Sequence, residues 1–191
     1  MSRNLFLITI MILTAGILFI HAESRQKKSV QTKSKGKKME IKLESPAFKN
    51  GEPIPAKYTC DGENISPALY WDKPSDKIKN FCLIVEDPDA PGGDFVHCII
   101  IDIPGKLNSL QENVTNQKNL PDGAEMGTND ARRIGYFGPC PPSGGAPRYY
   151  FRIYGIDTIL KMDAGATKNE VLKAMKGHIV AQGELMGKYQ R

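Results

Sequence analysis

Apolar and polar positions along the chain fall into segments of different period. Leu5 to Ile20 carries no charge at all. Residues 39–43 (Met-Glu-Ile-Lys-Leu) alternate, as a half-exposed strand does. Residues 45–69 are dense in Pro, Gly, Asn and Ser and predict a surface wrap. Asn80 to Asp87 is a near-continuous apolar strand ending in an acid, and Phe95 to Ile103 is a second. Such runs suit strands covered on both faces. Between them, Asp87-Pro-Asp-Ala-Pro-Gly-Gly predicts a rigid turn, with Pro88 or Pro91 a candidate for a cis bond. Residues 104–147 offer few strand signals. From Arg148 to Ile156, Arg148, Tyr150, Arg152 and Tyr154 alternate with Tyr149, Phe151 and Ile153, which predicts a third strand. Thr167 and Glu170 then form a capping box, Val171, Ala174 and Met175 give a helix an apolar face, and Gly177 ends it. Residues 179–189 close the chain as a strand or a second helix. The expectation is a mainly β domain, a sandwich with one or two C-terminal helices.

Composition narrows this picture. The 191 residues, 40% hydrophobic and 25% charged, fit one domain with tails and exclude collagen, coiled coil and wholesale disorder. The net charge of +5 is unevenly placed. Residues 23–38 hold seven Lys and Arg against Glu23, so residues 39–191 are slightly acidic. A domain-wide basic face for nucleic acid is therefore not expected. Residues 23–38 read as a solvated basic linker, with weak contact to an anionic membrane surface as the sharper alternative. Residues 1–22 read as an export signal: Arg3, an apolar run, and Ala22 at a cleavage position. As a helix the run spans ~24 Å, short of a ~30 Å hydrocarbon core. The strong positive charge behind it opposes translocation, and an uncleaved anchor is the alternative. The expected location is periplasmic or secreted.

Cys60, Cys82, Cys98 and Cys140 allow three full pairings. None forms C-x-x-C and none has a histidine at zinc-finger spacing, so no metal or other cofactor is expected. Cys82 and Cys98 lie in apolar strands, whereas Cys60 and Cys140 lie in turn-like stretches. In an exported protein Cys60–Cys140 is the first choice for a disulfide. The strand ending at Asp87 and the strand beginning near His97 are joined by residues 88–94, so a hairpin brings the two groups together. Period-two alternation puts His97 with Ile99 and Ile101, and turns Cys82 and Cys98 the other way. A carboxylate beside an imidazole can hold it protonated for an anionic ligand. A buried pair that merely fixes a loop is the alternative. His178 reads as structural, Arg148 as the ion-pair partner of a turn acid, and Asn129-Asp130 as turn-forming.

Several separate motifs occur together. They are Asp87-Pro-Asp-Ala-Pro, Phe95-Val96-His97, Gly135-Tyr136-x-Gly138-Pro139-Cys140-Pro141-Pro142 and Arg148-Tyr149. Tyr58-Thr59-Cys60-Asp61-Gly62, Asn64-Ile65-Ser66-Pro67 and Gly183-Glu184-Leu185 support them. This set resembles the phosphatidylethanolamine-binding protein family, in its bacterial Raf-kinase-inhibitor-like branch, from about residue 40 to the end. The resemblance implies a β-sandwich with a small pocket for phosphate, acetate or a phospholipid headgroup. Carried over, Asp87, Pro88, Asp89, Ala90 and His97 form the pocket. Gly138, Cys140, Pro141 and Pro142 supply its wall and backbone donors, Tyr149 follows from the Arg-Tyr match, and Tyr189 from the C-terminal segment. The family usually has His directly before Arg-Tyr, where this chain has Pro147. Proline supplies neither a side-chain donor nor an N–H.

The reading that follows is an exported, non-enzymatic protein that binds a small anion or phosphorylated headgroup. One alternative is an inhibitor or modulator of a kinase or protease. Another is a hydrolase using Asp87 and His97 as acid and base.

Overall fold

The computed structural model describes residues 38–114, 120 and 123–191. Residues 1–37, which hold the expected export signal and nearly all of the expected basic linker, lie outside them. The elements in chain order are β1 (Met39–Glu40), β2 (Leu43–Glu44), β3 (Leu69–Trp71), β4 (Asn80–Asp87), β5 (Phe95–Pro104), β6 (Ser109–Leu110), β7 (Glu125–Met126), β8 (Arg148–Ile156), α1 (Lys168–Met175) and β9 (Ile179–Lys188). A six-stranded sheet runs β1-β9-β8-β4-β5-β7 and faces a three-stranded sheet, β2-β3-β6.

The core follows from the pattern of each strand. β4 lies between β5 and β8 and is buried along its whole length, which is why it reads as an unbroken apolar run. Phe81, Leu83 and Val85 point into the sandwich with Cys98, Ile100, Phe151 and Ile153, against Leu43, Leu69, Trp71 and Leu110 of the smaller sheet. Cys82, Ile84, Ile99, Ile101 and Ile156 form a second cluster under Val171 and Met175 of α1. β8 alternates buried and partly exposed residues, because Arg148, Tyr150, Arg152 and Tyr154 face outward. The capping box forms as expected: Thr167 accepts from the Glu170 amide and the Glu170 carboxylate accepts from Thr167.

Three expectations are corrected and one open choice, the last element, is decided. The alternating 39–43 segment is two short strands, the first paired with β9 and the second with β3, because the chain crosses between sheets there. There is one C-terminal helix, and residues 179–188 are strand β9. All peptide bonds among the described residues are trans, Pro88 and Pro91 included. Cys82 and Cys98 lie on opposite faces of the large sheet.

The last difference has a physical cause: the β4–β5 ladder slips twice. Phe81 pairs with Ile103 but Leu83 with Ile100, and Val85 pairs with Cys98 but Glu86 with Val96. Each slip is a β-bulge that inserts one extra residue into β5 and resets its alternation. At the first bulge, Asp102 adopts φ +54°, which Asp tolerates better than most side chains. Its carboxylate accepts from Asn80 Nδ2 at 2.9 Å, Leu160 N at 2.8 Å and Lys161 N at 2.9 Å, tying the 157–166 segment to the sheet. Asp102→Ala strands these three donors. It is expected to lower stability by about 3 kcal/mol, read as a lower urea midpoint at unchanged slope.

Candidate functional site

The second bulge builds the site. With Val85 opposite Cys98 and Glu86 opposite Val96, His97 is the extra residue of β5. A regular ladder would have grouped it with Ile99 on the helix side. The bulge turns it toward Tyr149, a member of the sandwich core, with ring centroids 5.3 Å apart in an edge-on arrangement. Asp87 lies two residues past Val85 and reaches the same side. The hairpin brings the predicted pair to one place, but by a route that simple alternation misses.

Their chemistry also differs from the expectation. Asp87 and His97 do not share a hydrogen bond. His97 Nδ1 donates to Phe137 O at 2.6 Å, and the Phe137 amide donates to His97 O at 2.9 Å. The two rings stack, with centroids 6.0 Å apart. Burial pushes the imidazole down to about 4, against the weaker upward pull of the Phe137 and Gly138 carbonyls and of Asp130. The ring is therefore neutral near pH 7. Its Nδ1 carries a proton, which Phe137 O accepts. Asp87 is itself raised, chiefly by burial, although one oxygen accepts from the Asp89 amide at 2.8 Å. The expected protonated imidazole fails because the burial that excludes water disfavours both charges.

Tyr149 joins the two. It is 1% exposed, and its hydroxyl is buried beside the Asp87 carboxyl. Burial and the adjacent Asp87 carboxyl raise its pKa. Asp87 at 4% and His97 at 3% exposure are nearly as enclosed.

The remaining residues form the surroundings. Asp89 accepts from Arg148 Nε at 2.8 Å, NH2 at 2.6 Å and the backbone amide at 3.1 Å. This fork pins the turn bearing Pro88 and Ala90 to the start of β8 and pulls Asp89 down to about 2. Gly138 donates its amide to Asn64 Oδ1 at 2.8 Å, so that group is not free for a ligand. A Cβ at Gly138 would lie 2.4 Å from Tyr58 O, and glycine is what permits this approach. Cys140 is bonded to Cys60, with Cα atoms 5.4 Å apart. Pro141 is buried and Pro142 exposed; neither makes a hydrogen bond to Asp87 or His97. Tyr189 donates its hydroxyl to Asp61 at 2.7 Å, so it closes the C-terminus onto the Cys60 loop. An open groove between residues 38–45 and the Arg152–Tyr154 stretch contains none of these residues.

Three further residues contribute in roles that the sequence did not assign to them. Phe137 fixes the imidazole. Asn64 fixes Gly138, and its left-handed backbone (φ +57°) within a turn-rich stretch was the available signal. Asp130 accepts from Val96 N at 2.7 Å, while Val96 O accepts from the Asp130 amide at 3.0 Å, so it braces the bulge beside His97. Asn129-Asp130 was read only as a local turn.

A two-sheet β-sandwich with a buried acid, imidazole and phenol under a proline-rich turn is the class of protein that this geometry defines. The family model described as phosphatidylethanolamine-binding protein matches residues 44–190, and the chain belongs to that family. A UPF0098 protein of Methanothermobacter thermautotrophicus is 47% identical over 151 residues, covering 79% of this chain and 99% of the relative. UPF0098 protein PH1269 of Pyrococcus horikoshii is 45% identical over 157 residues, covering 81% and 78%. Among solved structures, a phosphatidylethanolamine-binding protein homologue of Chlamydia trachomatis superposes with TM-score 0.73 at 40% identity, covering 79% of this chain and 97% of its own. E. coli YbcL, described as a member of the mammalian family, gives TM-score 0.74 at 28% identity, covering 79% and 98%. The mainly β fold expected from the sequence is the fold of these relatives.

A histidine with a lowered native pKa binds its proton more readily when unfolded. Its contribution to stability is full above about pH 6.5 and is lost as pH falls toward 4. The His97 ring signals are expected to titrate near pH 4 by NMR. In His97→Gln the stability loss between pH 6.5 and 4 is expected to shrink, as read by urea unfolding across that range.

Proposed function

We propose that this protein is a non-enzymatic binding protein that holds a small phosphate- or carboxylate-bearing group at Asp87, His97 and Tyr149. One observation carries the reading: Asp87, His97 and Tyr149, each at least nine-tenths buried, converge on one place, the Tyr149 ring edge-on to the imidazole and its hydroxyl beside the Asp87 carboxyl. Burying three titratable groups together is costly, and native proteins keep few such clusters without a functional reason. Family membership supports the reading, because the family is described by its binding of a phospholipid. The turn pinned by Asp89–Arg148 and the wall fixed by Cys60–Cys140 give the group a rigid setting.

Titration with inorganic phosphate and phosphoethanolamine, following the His97 ring signals, tests the site. Saturable shifts are expected, and their absence up to high millimolar ligand removes the proposal. Pro147→His restores a side-chain donor before Arg148-Tyr149. It is expected to tighten phosphate by about tenfold, the equivalent of one hydrogen bond. Unchanged affinity would show that Pro147 stands away from the ligand.

We also propose that the protein is exported, on the strength of residues 1–22 and of the Cys60–Cys140 disulfide, which suits an oxidising compartment. Mass spectrometry of the protein from its native host is expected to find Glu23 at the mature N-terminus. An intact Met1–Ala22 segment would instead mark an uncleaved anchor.

A further inference from the structure

The four cysteines divide into two chemical classes. Cys82 and Cys98 are 0% and 1% exposed, one on each face of the large sheet. Burial pushes both thiols up, Cys98 to about 12, so neither ionises nor meets a reagent in the folded protein. Cys60 and Cys140 are joined at the surface, where Cys140 is exposed and Cys60 half-buried. Thiol–disulfide exchange needs a thiolate to reach a sulfur. In the folded chain that chemistry is confined to this one bond.

The bond is not what holds the domain together. Both core clusters lie away from it, between the sheets and under α1. The stretches it joins stay in contact through three hydrogen bonds: Cys60 N to Pro139 O, Gly138 N to Asn64 Oδ1 and Tyr136 Oη to Tyr58 O. Tyr189 adds a bridge, its amide on Pro147 O at 3.4 Å and its hydroxyl on Asp61, the neighbour of Cys60. Opening the disulfide therefore leaves the two sulfurs near each other, which is the condition for closing it again. What the bond does hold is the run that follows it. Residues 141–146 make no hydrogen bond to a described residue. Ser143 to Ala146 are exposed, and a Cβ at Gly144 or Gly145 would meet nothing, so packing does not restrain the run either. Its far end is Arg148, forked on Asp89 and followed by Tyr149. Phe137, which fixes the imidazole, lies three residues before Cys140.

We infer that Cys60–Cys140 is a reversible redox latch: a dithiol opens it in the folded protein, and opening loosens residues 138–147 and, through Phe137, the setting of His97. A thiolate of the dithiol attacks Cys140 Sγ, the more accessible sulfur. Cys60 Sγ leaves as a thiolate and takes up the proton that the dithiol lost. The second thiol of the reductant then attacks the mixed disulfide, releases Cys140 as a thiol and closes the reductant's own disulfide. Two electrons pass to the protein, and two thiols replace one disulfide. The reverse exchange closes the latch. Exposed disulfides are the labile and regulatory ones, whereas structural disulfides of secreted proteins resist reduction. The partner is a protein or small molecule with paired thiols, acting at the surface. The latch stands whether or not the site holds an anion.

The test is reduction of the full chain by low-millimolar dithiothreitol, with and without urea below the unfolding transition, with released thiols trapped by an alkylating reagent. Two thiols are expected, at Cys60 and Cys140, at a rate proportional to dithiothreitol and changed less than about twofold by the urea. Reduction that passes through unfolding would quicken about tenfold for each molar of urea and alkylate all four cysteines. That result overturns the latch and leaves a structural staple. In the reduced protein, amide hydrogen exchange is expected to rise across 138–147 and to stay unchanged in β4 and β8. The His97 ring signals are expected to shift on reduction and to return on reoxidation. Signals that do not move overturn the coupling to the site. The double variant Cys60→Ser, Cys140→Ser is expected to fold, to show the His97 signals of the reduced protein and to ignore dithiothreitol. A double variant that fails to fold overturns the inference, because the open state must be a folded one.

Discussion

The reciprocal hydrogen bonds between His97 and Phe137 are the constraint on which the site depends. The Phe137 amide bonds to His97 O, and Phe137 O accepts from His97 Nδ1. The first bond joins the 135–142 loop to β5. The second sets the imidazole tautomer and the direction of the ring. Either alone would leave a degree of freedom, either the loop hinging at the strand or the ring turning over. Together they make loop position and imidazole chemistry one variable. The β-bulge is the precondition, because in a regular ladder His97 would point toward α1 and could not meet Tyr149.

The loop that carries Phe137 is held at its far side as well. Cys60–Cys140, Cys60 N to Pro139 O at 3.1 Å, Gly138 N to Asn64 Oδ1 and Tyr136 Oη to Tyr58 O at 2.9 Å all cross to residues 58–64. The C-terminus closes over the same segment, through Tyr189 and Arg191 on Asp61. Three stretches far apart in sequence thus form one rigid body behind the imidazole.

The long strands were legible in the sequence because each imposes one dominant pattern: full burial in β4, alternation in β8. The helix was legible through Thr167 and Glu170, whose local chemistry needs no tertiary partner. The short strands β3, β6 and β7 were not, since two or three residues carry no period. Motif resemblance grouped Asp87, Asp89, His97 and Tyr149, and the structure places them near one another. The resemblance did not give their protonation, which depends on burial and on which carbonyl Nδ1 finds. Nor did it give the bulges: one extra residue among Val96, His97 and Cys98 leaves no trace in an unbroken apolar run. The reading of His97 with Ile99 failed for that reason.

The electrostatic character of the cluster follows from the two faces of β8. Successive side chains on a strand point oppositely, so Arg148, Tyr150 and Arg152 share the outer face while Tyr149 and Phe151 share the inner. The outer cations are all engaged there. Arg148 is on Asp89, Arg152 is on Glu86 and Glu184, and both guanidinium groups lie over the Tyr150 ring, at 5.8 and 4.7 Å. Lys168 of α1 completes the enclosure of the buried Glu86. Moving a positive charge from this face to Tyr149's side would require a register slip of β8. Such a slip would expose Tyr149, Phe151 and Ile153 and bury the arginines. Burial of the apolar inner face therefore opposes any rearrangement that would bring an arginine inward. The site keeps a carboxyl, a neutral imidazole and a phenol as a consequence of how the sheet is packed.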